Sequence, residues 1–205
     1  MKIIEPSVKI LTPIDGNAIL KHLEECGRTC YQSHDNTSEG SAERLLRQII
    51  KSGHESVLEH FLISVKMHMD IGAYKDITRH RLASFSIEST RWCNYSKGKF
   101  GTELKFMKPC NIEGELYEDW LKTMEYIEKM YMKMAEKGAA PDQLRMILPH
   151  STAAEVCMSA NLREWRHIFR LRTSKNAHPS VQQVMKMLLN EFKAKIPVIF
   201  EDIGE

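Results

Sequence analysis

The chain has 205 residues, a formal net charge of +2 and 42% hydrophobic residues. This length supports one sizeable core and nothing marks a second domain, so we predict a single domain over residues 1–205. The nearly balanced charge argues against a general nucleic-acid-binding protein, and no apolar run approaches the roughly 18 residues that span a bilayer. Glu5 and Pro6 stand where a signal peptide would be apolar, so we expect a soluble, cytoplasmic protein.

Hydrophobic periodicity predicts alternating strands and helices in the first half of the chain. Asp15 is a suitable N-cap for a helix that runs through Cys26, and Gly27 is expected to end it. The predicted elements are a strand at 7–12, helices at 15–26 and 41–51, a half-buried strand at 61–69 and a helix over 71–82.

The second half of the chain contains a long amphipathic pattern with Leu116, Trp120 and Met124 at helical spacing, which is typical of a core or subunit contact. The predicted elements are a loop at 94–101, a helix at 114–137, a short helix from Pro141 that contains Arg145, a strand at 153–159, helices at 161–171 and 180–195, and a tail at 198–203. Together these elements predict a mixed α/β (α+β) fold.

The most informative segment concentrates basic residues between positions 79 and 91. It contains Arg79-His80-Arg81, then Ser89 and Arg91 after a gap of seven residues, with Glu88 as the one carboxylate. A solvated basic face is one explanation. The other is an anion-binding site, because the arginine fork suits phosphate or carboxylate and clustered positive charge needs an anion to hold it together.

The predicted helix at 161–172 has two distinct faces at 100° per residue. Trp165 and Ile168 form the apolar face, and Arg163 and His167 lie opposite. Arg172 projects onto the apolar side, where a bare guanidinium would cost several kcal/mol. We therefore predict that Arg172 binds a ligand, whereas Arg163 and His167 meet a second ligand or subunit.

Metal binding and cysteine chemistry are both disfavoured by spacing. His54 and His60 are six residues apart, which on a helix turns the second imidazole about 120° from the first, so we predict no metal. The five cysteines are scattered and are expected to be reduced thiols. Cys93 is the cysteine nearest to the arginines, and we predict that it is not a nucleophile.

Four ordered motifs resemble those of the flavin-dependent thymidylate synthases. Arg-His-Arg with Ser89 is similar to the family signature, and residues 54–60 are similar to its His-Glu-x-x-x-Glu-His segment. Arg145-x-x-Leu-Pro and the segment 161–172 follow in the family order. The family often has Asn at the position of Ser86 and Glu at that of Ile87; Glu88 is the candidate replacement for the carboxylate. The resemblance implies the family's own mixed sheet with flanking helices, and the lack of Gly-x-Gly-x-x-Gly agrees that this is not a Rossmann fold.

The resemblance also implies a reaction. A one-carbon unit would pass from 5,10-methylenetetrahydrofolate to dUMP and be reduced to the methyl group of dTMP, with FAD reduced by NADPH supplying the electrons. It implies a homotetramer whose sites are shared between subunits, with no nucleic-acid or membrane partner. The alternatives are a catalytically inactive structural relative, motivated by Ser86 and Ile87, and a single-stranded nucleic-acid-binding module that stacks bases on Trp92 or Trp165.

The resemblance assigns residues to three roles. The catalytic residues are Arg172, Ser89 and Arg91. The dUMP-binding residues are Asp76, Arg79, Glu88, Ser89, Thr90, Arg91, Arg145 and Arg172. The FAD-binding residues are His54, Ser56, Glu59, Arg79, His80, Arg81, Asn161, Arg163, His167 and Asn176.

Overall fold

Strands form two sheets in the computed structural model, which describes residues 1–204. The strands are β1 (Lys2–Ile4), β2 (Ser7–Ile10), β3 (Leu62–Asp70), β4 (Ala83–Ile87), β5 (Lys105–Met107) and β6 (Ala153–Asn161). The larger sheet has the order β2-β3-β6-β4 and is antiparallel throughout. β1 and β5 pair in parallel as a separate two-stranded sheet. An antiparallel main sheet is not a doubly wound dinucleotide-binding sheet, so the predicted fold class is confirmed.

Helices supply the second layer of the fold. They are α1 (Gly16–Thr29), α2 (Ser41–Lys51), α3 (Ile71–Ile77), α4 (Glu115–Glu136), α5 (Pro141–Leu144), α6 (Leu162–Arg172), α7 (Pro179–Lys195) and α8 (Pro197–Phe200). Short 3-10 helices lie at His34–Asn36, Glu55–His60, Gly98–Phe100 and Arg145–Ile147. Among residues 1–204, every helix is either too short or too polar to cross a bilayer.

The main sheet has one apolar face and one polar face, because side chains alternate along each strand. Val65 and Met67 of β3 are fully buried in the core with side chains from α1, α2, α6, α7 and α8. Lys66 and His68 point the other way, and Glu155 of β6 lies 2.8 Å from the Lys66 ammonium. This amphipathic sheet fixes the register of β3 against β6, since a one-residue slip would expose the core residues.

A second hydrophobic cluster lies around the smaller sheet. It joins Phe106 of β5, Tyr131 of α4 and Leu144, the last residue of α5, all of which are fully buried. Trp120 of α4 packs against this cluster. Met124 and Tyr131 of the predicted stripe are therefore core in this protomer, whereas Leu116 at its start is 71% exposed.

Helix α1 continues past its predicted end at Gly27 and stops at Thr29. An added Cβ at Gly27 would lie 3.4 Å from the Ile49 side chain of α2, so this glycine allows two helices to approach closely instead of ending one. The predicted N-cap is confirmed, since the Asp15 carboxylate accepts a hydrogen bond from Ala18 N.

The predicted helix over 71–82 is wrong in its second half. Helix α3 ends at Ile77, so Arg79–Arg81 lies in the turn before β4, a strand that the sequence analysis missed. Arg145 similarly begins a 3-10 turn after α5 instead of lying inside it. The predicted tail contains α8, whose Val198 and Phe200 are buried in the main core.

Candidate active site

The turn between α3 and β4 presents two arginines to solvent and turns one histidine inward. His80 N donates to the carbonyl of Ile77 at 3.1 Å, which closes the turn at the end of α3. Arg79 and Arg81 are exposed on either side, whereas His80 is 7% exposed. The Arg-His-Arg segment therefore combines two surface cations with one buried imidazole.

The His80 side chain contacts one residue at each end of α6, and one of these residues, Arg172, also contacts α3. Its Nδ1 lies 3.2 Å from a carboxylate oxygen of Glu164 in the first turn of α6. Its Nε2 lies 3.1 Å from Nε of Arg172, the last residue of α6. Arg172 also donates to the backbone carbonyl of Asp76 in α3 at 2.9 Å. These contacts supply the polar partners that Arg172 needs on that side of α6 and fix the direction of its guanidinium, and its contact with a ligand stays a prediction.

The environment of His80 favours the neutral imidazole. Burial lowers the pKa of His80, and the nearby Arg172 charge lowers it further, whereas Glu164 opposes the shift. The ligand atoms of His80, Glu164 and His167 lie within 4.8 Å of one another, a spacing that a metal could use. We assign no metal to this cluster, because both ring nitrogens of His80 already make protein hydrogen bonds.

The arginines divide into paired and unpaired groups. Within residues 1–204, carboxylates pair with Arg28, Arg47, Arg163, Arg166 and Arg170. In the same described part of the chain, no carboxylate lies at salt-bridge distance from Arg79, Arg81, Arg91, Arg145 or Arg172. Arg44 is also without a carboxylate and donates instead to Glu39 O and Ser38 Oγ. Arg79, Arg81, Arg91 and Arg145 are exposed, so they leave an excess of positive surface charge that suits an anionic ligand, whereas Arg172 is partly buried.

Strand β4 separates the two halves of the arginine motif. Ala83 at its start pairs with Ala160, and Ile87 at its end pairs with Val156. Four residue steps place these ends about 14 Å apart, at about 3.4 Å per residue. The segment 79–81 therefore lies at one end of β4 and the segment 88–91 at the other.

Glu88, a predicted dUMP-binding residue, makes hydrogen bonds within the protein with both of its carboxylate oxygens. One carboxylate oxygen accepts from the Tyr95 hydroxyl at 2.6 Å, and the other accepts from Glu155 N at 3.1 Å. Burial raises the pKa of Tyr95, and the bond to Glu88 raises it further. Ile87, at the position where the family often has Glu, packs against the main core. Both residues hold the end of β4 in place, next to Ser89.

Open clefts bring some of the predicted residues together. Arg81 and Asn161 line one cleft of about 250 Å³ at the Leu62 end of β3. Asp76 lines another of about 510 Å³ together with Lys75 and His150. Glu88 borders a third, of about 410 Å³, on the polar face of the main sheet. One protomer thus distributes the predicted ligand residues over separate surfaces.

The exposed face of α6 matches its prediction. Arg163 and His167 are exposed, and Arg163 donates to Glu59 at 2.6 Å. Asn161 is the N-cap of α6, and its side-chain oxygen accepts a hydrogen bond from Glu164 N at 2.8 Å. The other exposed members of the predicted FAD-binding set are His54, Ser56, Glu59, Arg79, Arg81 and Asn176.

Two charged residues of α6 were missed by the sequence analysis. Glu164 is 7% exposed and bonds His80. Arg166 is fully buried and donates to Glu55, to both carboxylate oxygens of Asp202 and to the Ile199 carbonyl. The burial of Glu164 could have been predicted from a helical projection, because Glu164 lies beside Ile168 on the apolar side of α6.

Cys93 lies close to the arginine motif in sequence but is buried. Its pKa is raised by burial first and by Glu88 second, which disfavours the reactive thiolate. Arg91, which could have stabilised a thiolate, stacks instead on the Trp92 ring at 5.5 Å. The geometry therefore supports the prediction that this thiol is not a nucleophile.

We expect Cys93→Ser to form dTMP, the product that the family resemblance implies, at a rate within about tenfold of the parent. That limit corresponds to a change in the activation barrier below about 1.4 kcal/mol. Loss of a catalytic nucleophile would cost several orders of magnitude instead. The measurement is steady-state turnover of folded protein, with Cys110→Ser as the control because Cys110 is exposed. A collapse confined to the Cys93 variant would require a covalent role for its thiol.

Comparisons with known proteins agree with one another. A model of the family "thymidylate synthase complementing protein" matches residues 17–198. The flavin-dependent thymidylate synthase of Pyrococcus furiosus is 31% identical over 169 residues, or 80% of this chain and 68% of that protein. The Corynebacterium efficiens protein of the same name is 25% identical over 96% of this chain and 84% of its own. The crystal structure of the UMP/dUMP methylase PolB from Streptomyces cacaoi, bound with 5-Br dUMP, gives a TM-score of 0.81 at 20% identity, covering 98% of this chain and 96% of that chain.

The antiparallel main sheet places the chain among mixed α/β proteins outside the doubly wound class, and Arg79, Arg81 and Arg91 flank its edge strand β4. The family model covers most of the chain, and a relative above 30% identity supports it. The chain belongs to the thymidylate synthase complementing protein family, the flavin-dependent thymidylate synthases. The resemblance inferred from the motifs is confirmed.

Proposed function

We propose that this protein converts dUMP to dTMP, with 5,10-methylenetetrahydrofolate as the one-carbon donor and FAD, reduced by NADPH, as the source of electrons. Membership of the family over residues 17–198 supports the reaction class. The observation that carries the assignment of the nucleotide site is the position of Arg172, which donates to His80 Nε2 and to Asp76 O and is held in one direction by these bonds.

In this mechanism the chain's own groups position and polarise the nucleotide. Arg172 would donate to a pyrimidine carbonyl and stabilise the negative charge that develops there. Arg79, Arg91 and Arg145 would neutralise the phosphate. Ser89 would hydrogen-bond the nucleotide and not attack it, since an unactivated serine is a poor nucleophile. Asp76, Glu88 and Thr90 complete the proposed dUMP-binding set.

The residues present fit a flavin dinucleotide at the start of β4. Arg79 and Arg81 are exposed cations suited to its pyrophosphate, and Arg81 shares a cleft with Asn161. His54, Ser56, Glu59, Arg163, His167 and Asn176 complete the proposed FAD-binding set. When bound, FAD would supply the reducing equivalents that convert the transferred methylene to a methyl group. The ring of His80 fits this role less well, because both of its nitrogens bond other residues.

A site shared between protomers is supported by the length of β4. The segments 79–81 and 88–91 lie at opposite ends of this strand, about 14 Å apart at about 3.4 Å per residue. β4 is also an edge strand of the main sheet, so a second protomer can approach it. We include a homotetramer in the proposal, with segment 79–81 of one protomer facing segment 88–91 of another.

The proposed assembly predicts that FAD co-elutes non-covalently with a tetramer in gel filtration followed at flavin wavelengths. Arg81→Ala should weaken FAD binding roughly tenfold, because it removes a charge-assisted contact. Arg44→Ala is the matched control, an exposed arginine that also lacks a carboxylate partner and donates only to Ser38 and Glu39. A colourless monomer that takes up no added FAD would contradict the proposal.

A further inference from the structure

Glu164, His80 and Arg172 form a linear chain of hydrogen bonds under the surface. Glu164 and His80 are each 7% exposed, and a carboxylate oxygen of Glu164 lies 3.2 Å from Nδ1 of His80. The Nε of Arg172 lies 3.1 Å beyond the other side of the imidazole ring. Buried hydrogen bonds of this kind polarise one another and hold a fixed geometry.

The chemistry of the groups determines where the proton on His80 lies. The Nε of arginine can only donate, so Nε2 of His80 must accept. A neutral imidazole that accepts at Nε2 carries its proton at Nδ1, and that proton is donated to Glu164. The carboxylate can only accept when ionised, so it selects this tautomer. A histidine with its proton at Nε2 would instead point an N–H at the N–H of Arg172.

We propose that Glu164 is a positioning residue of the nucleotide site: it fixes the tautomer of His80, and His80 thereby orients the Arg172 guanidinium. This inference rests on the proposed function of Arg172. The Glu164 side chain bonds His80, and it is His80 that bonds Arg172, so Glu164 acts on Arg172 through the imidazole. The role differs from helix capping, because Asn161 supplies the N-cap of α6.

The chain of hydrogen bonds is sensitive to pH at His80. The charged and titratable side chains that face this imidazole from α6 are Glu164, His167 and Arg172. Asp76 of α3 reaches the same group of residues through its backbone carbonyl. Protonation of His80 would remove the acceptor at Nε2 and place a second positive charge beside Arg172. Because its pKa is lowered, the neutral form that holds Arg172 persists to more acidic pH than for an ordinary histidine.

Glu164→Gln separates positioning from simple packing, because glutamine has nearly the same shape. Its amide can donate to Nδ1 and so admits the wrong tautomer of His80. We expect the Kd for dUMP, measured by calorimetry on the FAD-loaded protein, to rise about fivefold to tenfold, while the Kd for FAD changes less than twofold. Glu24→Gln is the matched control, since Glu24 is also buried and paired with an arginine, Arg28, but lies in α1.

Two further readouts distinguish this role from a structural one. In a His80→Gln background, Glu164→Gln should change the dUMP Kd by less than twofold, because the intermediary is gone. With His80 intact, dUMP affinity is expected to fall on acidification at a lower pH in Glu164→Gln than in the parent. The reason is that the carboxylate that raises the His80 pKa has been replaced by a neutral amide. Packing defects would produce neither result.

The inference is overturned if folded Glu164→Gln binds dUMP as the parent does, or if its effect persists undiminished without His80. Glu164→Asp is the second variant in case the first does not fold. It keeps the charge but moves the carboxylate away from His80, so its dUMP Kd should lie between those of the parent and Glu164→Gln. Parental dUMP affinity in whichever variant folds also overturns the inference. Failure of the parent itself to bind dUMP would instead overturn the proposed function.

Discussion

Arg172→Ala is expected to raise the Kd for dUMP tenfold to a hundredfold and to leave the Kd for FAD within about twofold. The lost interaction is a charge-assisted hydrogen bond to the nucleotide, worth about 1.5–3 kcal/mol. Turnover should fall further than binding, because the same guanidinium stabilises charge that develops only in the transition state. Equilibrium dialysis with each ligand separately measures both constants.

Arg170→Ala is the matched control for this experiment. It removes an arginine from the same helix, two residues earlier, whose partners are Glu55 and Asp202 and whose side chain is 47% exposed. Both ligand affinities should be unchanged in this control. Equal losses of dUMP and FAD binding in Arg172→Ala would contradict the division of α6 into a nucleotide side and a flavin side.

Arg166→Met is expected to lower the free energy of unfolding by about 1.5–3 kcal/mol, because it removes the charge-assisted hydrogen bonds of a fully buried guanidinium. The Arg166 side chain is fully buried, and it lies 3.1 Å from Glu55 and 2.7 Å from Asp202. Methionine has a similar volume, so the loss reports the ionic contacts more than a cavity. Urea unfolding at a fixed protomer concentration measures it.

Two companion variants sharpen that result. Arg170→Ala removes a half-exposed member of the same cluster and should cost no more than about 1 kcal/mol. Arg166→Met combined with Glu55→Gln should recover part of the loss, because Glu55, whose side chain is 13% exposed, keeps only the half-exposed Arg170 as a cationic partner in the single variant. A single Arg166→Met variant as stable as the parent would show that the cluster contributes no net stability.

The ion pairs among Glu55, Arg166, Arg170 and Asp202 also predict that the stability of the protein falls at acid pH. The bond to Arg166 lowers the pKa of Asp202 below its unfolded value of 3.8. A carboxyl group with a lowered folded pKa contributes stability that is fully present above its unfolded pKa and is lost as the pH falls through the folded pKa. The parent should therefore lose stability below about pH 4, and Arg166→Met should show a shallower loss over that interval.

Helix α6 shows what a single sequence can predict about this site and where the prediction stops. The 3.6-residue period placed Trp165 and Ile168 in the core and Arg163 on the surface, because amphipathicity is a local property. The burial of Arg166 depends on Glu55 and Asp202, which come from distant parts of the chain. Partners that far apart in sequence leave no periodic signal.

Strand β4 was missed although its pattern was present. Residues 83–87 alternate small or apolar side chains with Ser84 and Ser86, and the strand follows that alternation in burial. The predicted helix runs to residue 82, and no element is predicted for residues 83–87. Five residues give little periodicity, and pairing with β6 supplies the hydrogen bonds that stabilise the strand.

The most direct test of the proposed function is dTMP formation by the purified protein from dUMP and 5,10-methylenetetrahydrofolate, with bound FAD retained or removed beforehand and with NADPH present or omitted. We predict dTMP only in the complete mixture, with the folate recovered as tetrahydrofolate, because the flavin and not the folate supplies the electrons. Formation of dTMP without flavin, accompanied by dihydrofolate, would contradict this mechanism. A flavin-loaded tetramer that forms no dTMP would identify a catalytically inactive relative instead.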